Sequence, residues 1–174
     1  MTEVTLRDMT AADIPALSRL AGDAFVSKFG HLYARHDLDA FLDEVVSEKA
    51  IAGDFADPAQ VYQLAEADGA LMGFTKIGLK PCRADYARGA RTMELKQLYT
   101  AAGATGMGIG GKLMDWAMDQ FAARGADEVQ LSVYAENFGG HRFYERYGFA
   151  KVADITFRVG SHIDPEFLFA RMLP

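Results

Sequence analysis

Val4 and Leu6 alternate with Thr5 and Arg7, the period of a half-buried strand. Thr10 and, three residues on, Asp13 form a capping-box pair ahead of Ile14, Leu17 and Leu20, which share one helical face. A second helix is predicted over residues 37–46, with Leu38, Phe41, Leu42 and Val45 on its apolar stripe. Asp68-Gly69 parts two apolar runs, 61–65 and 71–77, and reads as a hairpin turn. Residues 81–91 are polar and read as a loop. In 92–99, Met93, Leu95 and Gln97 alternate against Glu94, Lys96 and Leu98, which predicts a strand. Glycines crowd residues 103–111, and then Ile109, Leu113, Met114, Ala117, Met118 and Phe121 trace a helix that ends near Gly125. Val129, Leu131 and Val133 alternate as another strand. A short helix over 139–146 stops at Gly148, and 155–159 and 167–172 read as closing strands. Strand, helix, strand implies a crossover between parallel neighbours. The expected fold is α/β: one mixed sheet with helices on both faces, occupying residues 1–174 as one domain.

Composition narrows the class. Hydrophobic residues are 50% and charged residues 24% of the 174, the balance of a chain that builds a core. Cys82 is the lone cysteine, so an internal disulfide is excluded. No apolar run approaches the about 18 residues of a membrane span. The first nine residues mix Glu3, Arg7 and Asp8 with apolar ones, unlike a secretory leader. The expectation is a cytoplasmic protein without a membrane partner. The net charge is −6, and residues 23–68 hold most of it, with ten acids against three bases. A chain with this balance and no basic stripe is not built for nucleic acid. The acidic segment, with Asp37 and Asp43 in its helix, suits either solvent or a cationic small partner.

The glycine-rich turn carries the chemistry. Thr105, Gly106, Met107, Gly108, Ile109, Gly110, Gly111 and Lys112 lie between a strand and a helix, where exposed backbone N–H groups attract an anion. Gly106, Gly108 and Gly111 satisfy a dinucleotide-binding pattern, with Glu136 near the place of its ribose-binding acid. Too few strands follow, however, to complete a doubly wound sheet. Gly106, Gly111 and Lys112 fit most of a P-loop, but Leu113 has no hydroxyl for Mg²⁺.

A third reading rests on resemblance. From residues 93–99 through the glycine turn to Asn137, Tyr144, Gly148 and Phe149, the chain resembles the GNAT superfamily of acetyl-CoA-dependent N-acetyltransferases. Thr105 stands where that family's turn has Gln or Arg, and Gly140 where a small Ala is usual. The segments Phe29-Gly30-His31-Leu32-Tyr33, Asp37-Leu38 and Phe41-Leu42 are similar to the bacterial spermidine/spermine acetyltransferase group. The resemblance implies a mostly antiparallel sheet with one parallel pair. It implies acetyl-CoA as co-substrate and an amine, such as a polyamine, as acceptor in a ternary complex. Family members are often dimers, so self-association is a further expectation, and no metal is implied.

Roles follow from the resemblance and from acid–base chemistry. The backbone of Leu98, Tyr99 and Thr100 is expected to pair with the pantetheine arm. The turn from Thr105 to Gly111, through the amides of Met107, Gly108, Ile109, Gly110 and Gly111, is expected to hold the pyrophosphate, and Asn137 to bond the pantetheine amides. An alkylammonium, of pKa about 10, must lose a proton before it attacks. Glu94 is the candidate base; its competing reading is an ion pair with Lys96 or Arg91. His31 is the alternative, and His31 and Tyr33 are candidate acceptor-site residues. Tyr144 is the candidate acid, since a phenol is well matched to a departing thiolate. Cys82 has no histidine partner to make it a nucleophile. A competing function, without turnover, is a sensor that binds acyl-CoA.

Overall fold

The computed structural model describes residues 2–174. Seven strands form one sheet: β1 (Val4–Asp8), β2 (Gln60–Ala67), β3 (Ala70–Gly78), β4 (Thr92–Thr100), β5 (Glu128–Tyr134), β6 (Ala150–Val159) and β7 (His162–Met172), in the order β1-β2-β3-β4-β5-β7-β6. Every adjacent pair is antiparallel except β4 with β5. That single parallel step is made by α4 (Ile109–Ala123), as the strand–helix–strand pattern predicts.

Helices cover both faces. Leu17, Leu20 and Ala21 of α1 (Ile14–Phe29), with Ile51 of α3 (Glu48–Ala56), bury against Tyr62, Leu64 and Phe74. Phe41 of α2 (Arg35–Val45) packs with Phe25 and Val159. On the opposite face, Leu113, Met114, Ala117 and Phe121 of α4 are fully buried under the sheet. Removing a side chain such as Phe121 costs about 3–5 kcal/mol. The last helix, α5 (Phe138–Arg146), lies on this face too, through Phe143 and Tyr144.

Some boundaries differ from the expected ones. Thr10 and Asp13 do cap, with Thr10 N donating to Asp13 Oδ2 at 2.7 Å, but they open a 3₁₀ turn that leads into α1. The helix α3 was not foreseen, since its nine residues have one buried side chain, Ile51. β6 and β7 start five residues earlier than the apolar runs suggest. Pro165 fits inside β7 because β5 stops pairing at Tyr134 opposite Glu166, so its missing N–H leaves no gap in that ladder.

The alternation expected in β4 breaks midway. Ile77 pairs with Leu95 but Lys76 pairs with Gln97, so Lys96 is an extra, bulged residue. Past the bulge the faces exchange. Leu98 joins Met93 and Leu95 toward α4, rather than Glu94, and Tyr99 turns onto Phe74 under α1.

Candidate active site

β4 and β5 share only three register pairs, Thr92 with Glu128, Met93 with Val129 and Glu94 with Gln130. Beyond Glu94 and Gln130 the two strands run on without a mutual ladder, to Thr100 and Tyr134. The sheet is therefore open on the β5 side of Leu98, Tyr99 and Thr100, and backbone groups there are free to pair with an extended ligand.

The glycine turn meets the mouth of this opening. Gly106 and Gly108 have φ of +86° and +73°, and a side chain on either would be strained even though nothing crowds the space. Lys112 N is the first α4 amide to find a backbone acceptor, Gly108 O at 3.0 Å. The N–H groups of Ile109, Gly110 and Gly111 just before it have no turn above them to bond. Met107 differs, because its amide already donates to Ala104 O at 3.3 Å. Thr105 is exposed.

α5 closes the other side. A Cβ on Gly110 would lie 3.8 Å from Phe143 and 3.9 Å from Leu98, so α5, the start of α4 and the end of β4 converge there. Tyr147 OH donates to Asp115 Oδ1 at 2.8 Å and lies 3.2 Å from Gly111 O, fixing the first turn of α4. Tyr147 went unnoticed in the sequence because it reads as one more aromatic of the core. Tyr144 is half-buried, edge-on to Phe143, and burial pushes its phenol up to about 12. The Tyr99 phenol is raised as well, by burial first, with Tyr144 and Glu166 adding to it. Asn137 caps α5, accepting from Gly140 N at 3.1 Å. A Cβ on Gly140 would fall 2.6 Å from Asn137 Nδ2, which explains glycine at that position.

The α1 face of the opening is acidic. Glu94 is 8% exposed, and Lys96 Nζ stands 3.0 Å from its Oε2, although the angles are too poor for a hydrogen bond. The Lys96 partner is thus the one realised; Arg91 instead reaches Arg124 O and, through its backbone N, Asp127. Two residues beyond sequence reach, Asp164 and Glu166, line β7 on this face. Tyr33 OH donates to Asp164, and His162 Nε2 lies 3.0 Å from the same carboxylate. Burial, then Asp164, raises the Tyr33 phenol far above its ordinary value. The signal for Asp164 and Glu166 was acidic residues alternating with apolar ones ahead of Phe167. His31 is exposed on the turn after α1.

Other candidates are spent elsewhere. Lys112 Nζ donates to Val4 O at 2.9 Å, away from the role a P-loop lysine would have. Glu136 accepts from Tyr134 OH at 2.8 Å. Burial, and secondarily Glu94, pushes the Cys82 thiol up to about 12, so it is a poor nucleophile. Asp37 is buried and accepts from Ser161 N and Oγ, both at 2.7 Å. Two cavities of roughly 380 and 420 Å³ lie off the opening, one between the end of β1 and α4 and the other between α1 and Ala101-Ala102.

A sheet splayed at one parallel step, with a glycine-lined helix start at its mouth, defines an acyltransferase fold. Residues 17–149 match the Acetyltransferase (GNAT) family, and the chain belongs to that family. It is an N-acetyltransferase, and acetyl-CoA is the co-substrate typical of the family. It is 30% identical over 165 residues to an uncharacterized N-acetyltransferase of Mycobacterium bovis, covering 95% of this chain and 99% of that one. It is 21% identical over 173 residues to another from Lactobacillus delbrueckii subsp. lactis, with 99% of each chain covered. The PaiA N-acetyltransferase of Thermoplasma acidophilum, solved with coenzyme A, shares the fold with a TM-score of 0.80 at 19% identity, over 98% of this chain and 99% of that one. Among the described residues no helix is long and apolar enough to cross a membrane.

Proposed function

We propose that this enzyme acetylates a small cationic primary amine, bound on the α1 face of the splay, by direct attack on acetyl-CoA. The observation that carries this reading is the convergence of three things at one opening: free α4 amides, an unpaired stretch of β4 and the Tyr144 phenol. The amides of Ile109, Gly110 and Gly111, with Gly106 and Gly108 clearing the approach, fit a diphosphate. The backbone of Leu98, Tyr99 and Thr100 fits an added extended arm, and a backbone N–H near Leu98 serves the thioester oxygen, a contact worth about 3 kcal/mol in such sites. Tyr144 gives its proton to the departing thiolate. Asn137, whose Oδ1 caps α5, has its amide NH₂ to offer a pantetheine carbonyl.

Asp164 and Glu166 make the acceptor side acidic, which favours an ammonium ion. A polyamine is the member of this class to try first. The electrostatic pull does not come from Asp37, which holds the β6–β7 turn.

Free-thiol release from acetyl-CoA, measured with spermidine, putrescine and alaninamide, tests the proposal. Amine-dependent release with at least one of them is expected. Tight calorimetric binding of acetyl-CoA without release for any amine overturns the acceptor class and leaves a protein that binds without turnover.

A further inference from the structure

We infer that Glu166, on β7, receives the acceptor's ammonium group and is the base that takes its proton. The inference rests on the reaction proposed above and names the proton acceptor within it. Glu166 sits opposite Tyr134 of β5 and Ile155 of β6, in a strand whose alternate residues Phe167 and Phe169 turn the other way, beneath the His141 ring of α5. Its own side of the sheet is the α1 face of the splay, shared with Tyr99.

Two carboxylates therefore compete for the role, and their surroundings separate them. Glu94 already has a cation beside it, Lys96 Nζ at 3.0 Å, which occupies the place an acceptor ammonium would take. Glu166 accepts no hydrogen bond and joins no ion pair among the described residues, although it is half-buried. The groups that face it are Asp164 on β7, Tyr33 after α1, Tyr99 on β4, Tyr134 on β5 and Arg83 from the 79–91 loop. Asp164 is already shared between Tyr33 and His162. Tyr134 donates to Glu136, and Arg83 Nη2 donates to Thr156 O at 2.9 Å. Each neighbour has its own partner or is a phenol kept neutral by burial. Burial and then Asp164 lift the Glu166 carboxyl to about 7, with Arg83 opposing, so its proton affinity lies near working pH.

The proton balance closes. Glu166 takes one proton from the ammonium, and the freed nitrogen lone pair forms the new C–N bond. The C–S bond breaks, Tyr144 protonates the sulfur, and the second nitrogen proton restores Tyr144. Glu166 then returns its proton to water, so one proton is released per amide formed.

The test watches the carboxyl first and the rate second. With ¹³C at glutamate Cδ, the resonance that Glu166→Gln removes should titrate near neutrality in the coenzyme A complex. Addition of spermidine, putrescine or alaninamide should move that midpoint down as the cation docks. In kinetics, kcat/KM should inflect at the same pH. Glu166→Gln should lose the inflection and about 10²–10⁴ in rate while keeping its acetyl-CoA affinity, and Glu166→Asp should recover part of the rate. A midpoint in the ordinary glutamate range, or one that none of the three amines moves, overturns the inference. So does a Glu166→Gln enzyme that keeps the inflection, most plainly if Glu94→Gln abolishes it. Absence of thiol release with every amine defeats the proposed reaction instead, and Glu166 is then judged on the titration alone.

Discussion

A phenol can hand a proton to a leaving thiolate only if it stays protonated until that moment. Burial keeps Tyr144 in that form, with a value near 12. Its hydroxyl is the polar end of an otherwise apolar neighbour of Phe143 and Phe149, so Tyr144→Phe changes chemistry and little else. The expected result is a kcat lower by about 10²–10³ with acetyl-CoA affinity retained, read by thiol release and calorimetry. An unchanged kcat removes Tyr144 as the acid. Gly108 shows the opposite division. Its φ of +73° costs a β-branched residue more than the about 1–2 kcal/mol that L side chains generally lose in this region. Gly108→Val should therefore weaken acetyl-CoA binding at least about tenfold, whereas Gly108→Asn, which tolerates the left-handed region, should weaken it less. Calorimetric titration of both variants checks the ranking. Equal affinities would mean that backbone conformation at Gly108 does not shape the cradle.

At the level of elements, polar anchors place the pieces that the sheet alone leaves loose. The loop after β3 is fastened to β5 by a buried carboxylate. Glu128, 0% exposed, accepts from the backbone N of Arg88 and Gly89, from Arg88 Nε and from Thr92 Oγ1. Burial would raise its carboxyl, but these hydrogen bonds together bring it below its ordinary value. Gln130 grips the same loop through the N and O of Arg83. Glu128→Ala should cost about 3 kcal/mol by orphaning those donors, a fall in Tm of roughly 10 °C in a thermal melt. A shift within error would show that the loop finds other anchors. The strand–turn–helix unit at the centre of the site was legible from alternation and glycine spacing, because its periods are clean and its glycines have one purpose. The β4 bulge was not, since a one-residue insertion is invisible until Lys76 is paired with Gln97. Nor was the acidic side of the site, because Asp164 and Glu166 lie 59 or more residues beyond Thr105 and only the β5–β7 ladder brings them near. Asp37 illustrates the reverse error. In sequence it is one acid in an acidic helix, and in the fold it is the buried acceptor of the Ser161 turn.

Across the whole molecule, acids in different surroundings respond to pH with opposite sign. Asp13, paired bidentately with Arg7, is held well below its ordinary value by that bond, and Glu128 is lowered as well. Both support the fold above the unfolded carboxyl pKa of about 4, and that support is lost progressively as pH falls below it and through their lower folded values. Glu166 does the reverse. Its folded value, near 7, lies above the ordinary 4.5, so the native state holds the proton more tightly than the unfolded chain. Its contribution is complete below about 4.5 and is lost as pH rises toward 7. Glu166→Gln removes that loss. The variant should match the wild type in denaturant melts at pH 4.5 and exceed it at pH 8. One pKa unit corresponds to about 1.4 kcal/mol, and solvent screening of a half-buried group reduces the full shift to a gap on the order of 2 kcal/mol. Melts that differ equally at the two pH values would place the Glu166 carboxyl in the ordinary range. They would also remove the physical reason for preferring it to Glu94, because an unpaired acid with ordinary proton affinity is no better poised than a paired one to deprotonate an ammonium ion.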